Sequence, residues 1–235
     1  MKKKTIICLV LVALAIAFYK EQISDTFHYV VAKLKEEQSQ EIDWAKLKAS
    51  NADIYAWINV PGTPIDYPVM QSKEDNSYYL THDRYQEENI YGAIYTENIN
   101  SQNFSDPMTV VYGHNMRDGS MFGSLKNFTD KAFFEENDKI FVSIDTGEEL
   151  TYQIVAAYKY PAEHILSTFD FTTSEKATEY FEEVPVFVKK YKGNYKEEPT
   201  LKSPVITLST CTANQENYRY LVQGVLIERK GENDG

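Results

Sequence analysis

Val205-Ile206-Thr207-Leu208-Ser209-Thr210-Cys211 is the stretch on which the fold and the chemistry of this chain both turn. Side chains alternate along an extended strand, which puts Ile206 and Leu208 on one face and Thr207, Ser209 and Cys211 on the other. With the apolar face against a core, Cys211 stands at the strand end on a polar face. Outward from this stretch, from Asn51 onward, the pattern repeats as short apolar runs broken by turn residues. The runs are Ile54–Val60, Ile90–Tyr95, Met108–Tyr112, Ile140–Ile144, Leu150–Tyr160, Val205–Thr210 and Tyr218–Glu228. Pro61-Gly62 is a turn signal after the first, and Asp145-Thr146-Gly147 joins two others as a hairpin. Many short strands of this kind predict a mainly β domain, a barrel or a sandwich.

Two helical insertions interrupt the strands. Met121–Glu136 is one. In the other, Thr172 with Glu175 three residues later forms a capping-box signature, and Ala177, Tyr180, Phe181 and Val184 follow at helical spacing. The polar stretch Lys189–Lys202 reads as an exposed loop. Ahead of the strands, residues 21–50 are charged and rich in helix formers, and Trp44 and Leu47 lie three apart so that both can pack one face onto a core. At the N-terminus Lys2, Lys3 and Lys4 precede an apolar run from Thr5 to Tyr19. That run is short for a spanning helix and fits an export signal, with small-residue cleavage spacing at Ala13, Ala15 and Ala17. Phe18, Tyr19 and Lys20 favour an uncleaved anchor, with the lysines kept inside and the rest of the chain outside. The domain reading is therefore residues 1–20 as anchor, 21–50 as helical lead-in, 51–230 as catalytic barrel and 231–235 as disordered tail.

The formal net charge of -11 excludes nucleic acid as a natural partner, because phosphate binding calls for a basic surface. Only two cysteines are present, Cys8 in the apolar run and Cys211 far from it, so Cys211 reads as a free thiol. A lone cysteine is often a small buried hydrophobe. As a nucleophile it needs a base or a charge partner, since the thiolate is the reactive form. Of the four histidines, His28 lies in the lead-in and His82 and His164 lie beside loops. His114 follows Tyr112-Gly113 just past a strand, where the glycine lets the backbone turn toward a site. Arg219 begins the strand after the cysteine, where its guanidinium can hold an oxyanion, although such an arginine is often only a solvated surface group.

These residues carry a resemblance. Thr207-Leu208-Ser209-Thr210-Cys211, Tyr112-Gly113-His114-Asn115-Met116 and Arg219 on the next strand resemble the class B sortases. So do Gly62-Thr63-Pro64-Ile65-Asp66-Tyr67-Pro68-Val69, Asp75-Asn76-Ser77-Tyr78-Tyr79-Leu80 and Met121-Phe122-Gly123-Ser124-Leu125-Lys126, in the same order. The resemblance spans Asn51 to Arg229. It implies a closed eight-stranded β-barrel with added helices, and a cysteine transpeptidase site of Cys211, His114 and Arg219. It also implies that Asn76, Leu80, Tyr112 and Ser209 contact the sorting signal of a surface protein. Such an enzyme cleaves that signal after Thr, in an Asn-Pro-x-Thr-Asn-like or Leu-Pro-x-Thr-Gly-like motif, and transfers the acyl group to an amine of the cell-wall precursor. No cofactor and no metal are implied. Three competing functions are a pilin polymerase with a lysine acceptor, a cysteine protease with water as acceptor, and a non-catalytic surface adhesin.

Overall fold

The computed structural model describes residues 42–196, 203–212 and 215–231, and for residues 211, 212, 215 and 216 the backbone alone. The apolar run with its flanking lysines, Cys8, His28, most of the lead-in, residues 197–202 and the tail after Gly231 lie outside the described residues. A helix α1 (Trp44–Ser50) opens the described chain, and four strands follow: β1 (Ile54–Asn59), β2 (Asp66–Met70), β3 (Ile94–Thr96) and β4 (Met108–Tyr112). A 3₁₀ segment (Gly123–Thr129) leads into α2 (Lys131–Glu136), then β5 (Lys139–Ile144) and β6 (Glu149–Pro161). The rest is α3 (Ile165–Thr168), α4 (Ser174–Tyr191), β7 (Asn194–Tyr195), β8 (Val205–Thr212) and β9 (Gln215–Lys230).

The strand order is β5-β1-β2-β3-β4-β8-β9-β6-β7, and β5 also pairs with β6. That extra pairing closes eight strands into a barrel and leaves β7 as a short addition on β6. Sequence pattern explains the closure. In β5, Ile140, Val142 and Ile144 point inward and alternate with Lys139, Phe141 and Ser143. They meet Ile58, Val69, Ile94, Val111, Ile206, Leu208 and Val222 in one interior cluster. Burying such a set gives the barrel its main drive, at about 1.5–3 kcal/mol for each large aliphatic side chain.

β6 changes character along its length. Its first half alternates, with Leu150, Tyr152 and Ile154 inside, whereas Val155–Tyr158 are all buried. The outer face of that second half is covered by α4, where Tyr158 and Tyr160 pack with Tyr180, Val184 and Val188. The helix starts at Thr173, whose hydroxyl accepts from the Lys176 N–H, so the cap lies one residue later than the Thr172 signature implied. Thr172 instead donates to Asp170 at 2.6 Å. The helix also runs through Lys189 and Lys190 to Tyr191, which corrects the reading of that stretch as loop: Val184 and Val188, four apart, are buried and carry the helix onward.

Two residues of the polar face of β8, Thr207 and Ser209, are buried too. Thr207 is fully buried beneath α4 in a closed set of hydrogen bonds. Tyr158 donates to Gln223 Oε1 at 3.1 Å, and Gln223 Nε2 donates to Tyr180 Oη at 3.0 Å and to Thr207 Oγ1 at 3.1 Å. Tyr180 is left to donate to Tyr158, at 2.8 Å. Each of the four side chains in this network finds partners, which is what keeps such a network from destabilising the core. Trp44 and Leu47 pack against a separate cluster that includes Ile54, Met70 and Tyr79, as their spacing predicts.

Candidate active site

Three neighbouring strands bring the candidate residues together. β4 runs parallel to β8, in register from Met108 opposite Val205 to Tyr112 opposite Ser209. Both strands therefore end on the same side of the barrel. The Gly113 N–H continues the ladder by donating to the Ser209 carbonyl at 3.2 Å, which delivers His114 beside the end of β8. β9 returns antiparallel to β8, and its register sets Arg219 opposite Cys211. The backbone ladder thus brings positions 114, 211 and 219 to one end of the barrel.

Gly113 meets a different demand from the turn expected of it. It is not among the positive-φ glycines. A Cβ there would lie 2.5 Å from Ile94 Cδ1 and 2.9 Å from the Phe122 ring. The glycine is required by close packing on the barrel mouth, and the segment after His114 is held by the Phe122 N–H donating to the His114 carbonyl at 3.0 Å.

Around this corner lie the other sequence-derived residues. Leu80 ends a 3₁₀ turn (Tyr78–Leu80), its side chain 41% exposed, and its carbonyl is 2.9 Å from His114 Nε2. Asn76, just before that turn, is exposed and accepts from the Asn98 N–H at 2.8 Å, so it belongs to the wall formed with the loop after β3. Ser209 is buried beside Tyr112. Tyr112 stacks on Tyr95 with ring centroids 5.4 Å apart. Burial pushes its phenol well above the ordinary range, Glu97 and Tyr95 add to that, and the positive charge of Arg219 opposes them. The phenol is a hydrogen-bonding and packing group at any ordinary pH. Arg219 Nη1 donates to the Tyr218 carbonyl at 3.1 Å, which steadies the guanidinium near the start of β9.

Sequence reasoning passed over His164 and Glu97. His164 Nε2 meets Glu97 Oε1 at 2.7 Å, and its Nδ1 accepts from the Ser167 N–H at 3.1 Å to cap α3. Its ring also lies over Tyr112, at 6.5 Å between centroids. The pair ties the segment after β6 to the loop after β3. The two residues are 67 apart in sequence, and no local pattern signals such a contact. No cluster of three or more candidate metal ligands occurs among the described residues.

Residues 58–227 match the family model described as a sortase domain. The sortase B of Listeria monocytogenes is 33% identical over 186 residues, covering 78% of this chain and 73% of that protein. A Streptococcus pyogenes class B sortase involved in pilus biogenesis superposes with a TM-score of 0.69 at 29% identity, covering 80% of this chain and all (100%) of that one. The Staphylococcus aureus sortase B–substrate complex gives 0.69 at 26% identity, over 88% of this chain and 94% of that one. A domain match over more than half the chain, a closed eight-stranded barrel and class B relatives across its length make this chain a member of the sortase family, a class B cysteine transpeptidase.

Proposed function

We propose that Cys211 is the nucleophile of this transpeptidase, His114 its acid and base, and Arg219 its oxyanion partner, acting on a surface-protein sorting signal. The observation that carries the reading is the register of β4, β8 and β9, which puts these three positions at one barrel end. In the first step the Cys211 thiolate attacks the carbonyl carbon of the Thr residue, forming a C–S bond and a tetrahedral oxyanion. The Arg219 guanidinium holds that oxyanion. Collapse breaks the C–N bond, and His114 as imidazolium gives its proton to the leaving amine. In the second step an amine of the cell-wall precursor attacks the thioester and loses a proton to His114. The C–S bond breaks and the thiolate returns. Asn76, Leu80, Tyr112 and Ser209 line the peptide's path.

The test uses an Asn-Pro-x-Thr-Asn-like and a Leu-Pro-x-Thr-Gly-like peptide. Intact-mass measurement of the enzyme is expected to show a thioacyl adduct, removed faster by a wall-peptide amine than by water. Faster removal by a pilin lysine peptide would favour the polymerase reading. Product independent of every amine would favour a protease.

The apolar run Thr5–Tyr19 behind three lysines supports tethering to the cell membrane, N-terminus inside and catalytic domain outside. No helix among the described residues is long and apolar enough to cross a membrane, so the tether would be that run. The full chain is expected to pellet with membranes after an alkaline wash and to be digested by protease added to intact protoplasts. Release by the wash, or protection from the protease, would overturn this placement.

A further inference from the structure

The hydrogen bond between His114 Nε2 and the Leu80 carbonyl, 2.9 Å long, constrains the proton chemistry of the site. A carbonyl oxygen only accepts. Nε2 therefore carries a hydrogen whenever this bond is made. In the neutral ring that leaves Nδ1 as the lone-pair nitrogen, and in the imidazolium both nitrogens carry hydrogen. The proton that comes and goes is then the one on Nδ1.

The carbonyl is held in place from behind. Leu80 closes a 3₁₀ turn in which its N–H donates to the Ser77 carbonyl at 3.0 Å. The chain beyond it folds back, with the Asn89 N–H donating to the Thr81 carbonyl at 2.7 Å and the Ala93 N–H to the Tyr79 carbonyl at 2.9 Å. His82 stacks on Tyr78 at 3.9 Å and bonds its carbonyl at 2.9 Å, which stiffens the same turn. Gly92 sits against the back of the turn with φ +55. A Cβ at Gly92 would lie 2.4 Å from the Tyr79 carbonyl oxygen, 2.7 Å from the Leu80 carbonyl oxygen and 2.9 Å from the Leu80 carbonyl carbon. All three are backbone atoms, so no side-chain rotation can relieve the contact, and the backbone on which the carbonyl rests would have to shift.

We propose that the Leu80 carbonyl, seated by Gly92, is a positioning device that keeps the hydrogen on His114 Nε2 and assigns proton exchange with the amines to Nδ1. The inference rests on the reading of His114 as acid and base. The leaving amine takes its proton from Nδ1, the incoming amine returns one to Nδ1, and the Nε2 hydrogen stays on the ring through the cycle.

The direct test is a long-range ¹H–¹⁵N spectrum of the full chain labelled with ¹⁵N-histidine, recorded where the imidazole is neutral. His114 is expected to show Nε2 as the protonated, pyrrole-type nitrogen and Nδ1 as the bare one. The opposite tautomer, or an even mixture, overturns the proposal whatever the activity. Gly92→Ala is expected to mix the tautomers and lower kcat about ten-fold or more, within the 10²–10⁴-fold that general acid–base catalysis supplies, with KM little changed. Gly119→Ala is the matched control: Gly119 also has a positive φ, +84, but a Cβ there meets nothing within 4 Å. It carries similar backbone strain without touching the carbonyl. An equal loss in Gly119→Ala would assign the effect to strain and overturn the proposal. Unchanged turnover in His114→Ala would instead remove the acid–base reading on which it rests. If Gly92→Ala fails to fold, the tautomer of the unaltered chain still decides.

Discussion

Cys211→Ala is expected to form no thioacyl adduct and to show no measurable turnover of a sorting-signal peptide, while melting within about 2 °C of the unaltered chain. Loss of an acyl-transfer nucleophile costs on the order of 10⁶ in kcat. A shift of about 2 °C is what roughly 0.5–1 kcal/mol produces in a chain of this size, the scale of a small surface change. The two readings of this thiol separate here. A nucleophile at a strand end loses activity and keeps stability, whereas a buried structural cysteine does the reverse. The backbone register supports the first, because Cys211 pairs with Arg219 at the barrel end where β4 also stops. An adduct persisting in Cys211→Ala would place the nucleophile elsewhere. The measurement is intact mass after peptide incubation, with thermal melting beside it.

Arg219→Ala is expected to slow acylation about a hundred- to a thousand-fold, the effect of removing one oxyanion donor at about 3–4 kcal/mol. Its neighbourhood makes the assignment specific. Arg219 faces Cys211 across one ladder and Tyr160 across the other, and its charge acts on the Tyr112 phenol. Arg219→Lys keeps the charge and loses the planar fork, so it should recover only part of the rate. Single-turnover acylation with saturating peptide is the right readout, because an oxyanion role lowers kcat while a purely peptide-holding role raises KM. An Arg219→Ala enzyme within a few-fold of normal acylation would remove the oxyanion assignment.

Much of this architecture was legible where side-chain period and burial agree. Met108–Tyr112 matches its strand end to end, and the Asp145-Thr146-Gly147 hairpin joins β5 to β6 as read. The misses have physical causes. β2 escaped notice because Pro68 interrupts a five-residue run; Pro68 pairs with Trp57, and the pairing with β3 begins only at Val69, so its missing N–H leaves no gap in that ladder. Ile90 and Tyr91 looked like the start of β3, yet they are 79% and 52% exposed, because the chain turns at Gly92 before the strand begins. The polar residues of β8 read as a face away from the core, and only the arrival of Tyr180 on α4, beside Gln223 of β9, shows that Thr207 is enclosed. For the candidate site, residue type and spacing left His114, Cys211 and Arg219 open to structural readings, and the ordered motifs around them singled them out. Glu97 with His164, and the Leu80 carbonyl behind His114, did not stand out, since a contact across tens of residues or through a backbone atom leaves no local signature.

The parallel pairing of β4 with β8 has a bearing on when the enzyme becomes active. Met108 meets Val205 only after the whole intervening chain, including β5, β6 and α4, has been made and looped back. Parallel pairs with so long a crossover form late and slowly, because the closure entropy must be overcome before the contacts reward it. Until that ladder zips, the imidazole on the β4 side and the thiol on the β8–β9 hairpin belong to separate pieces of chain. On the proposed roles of Cys211 and His114, reactivity is thereby conditional on folding: a chain with that ladder still open carries an ordinary cysteine, and the closed barrel a nucleophilic one.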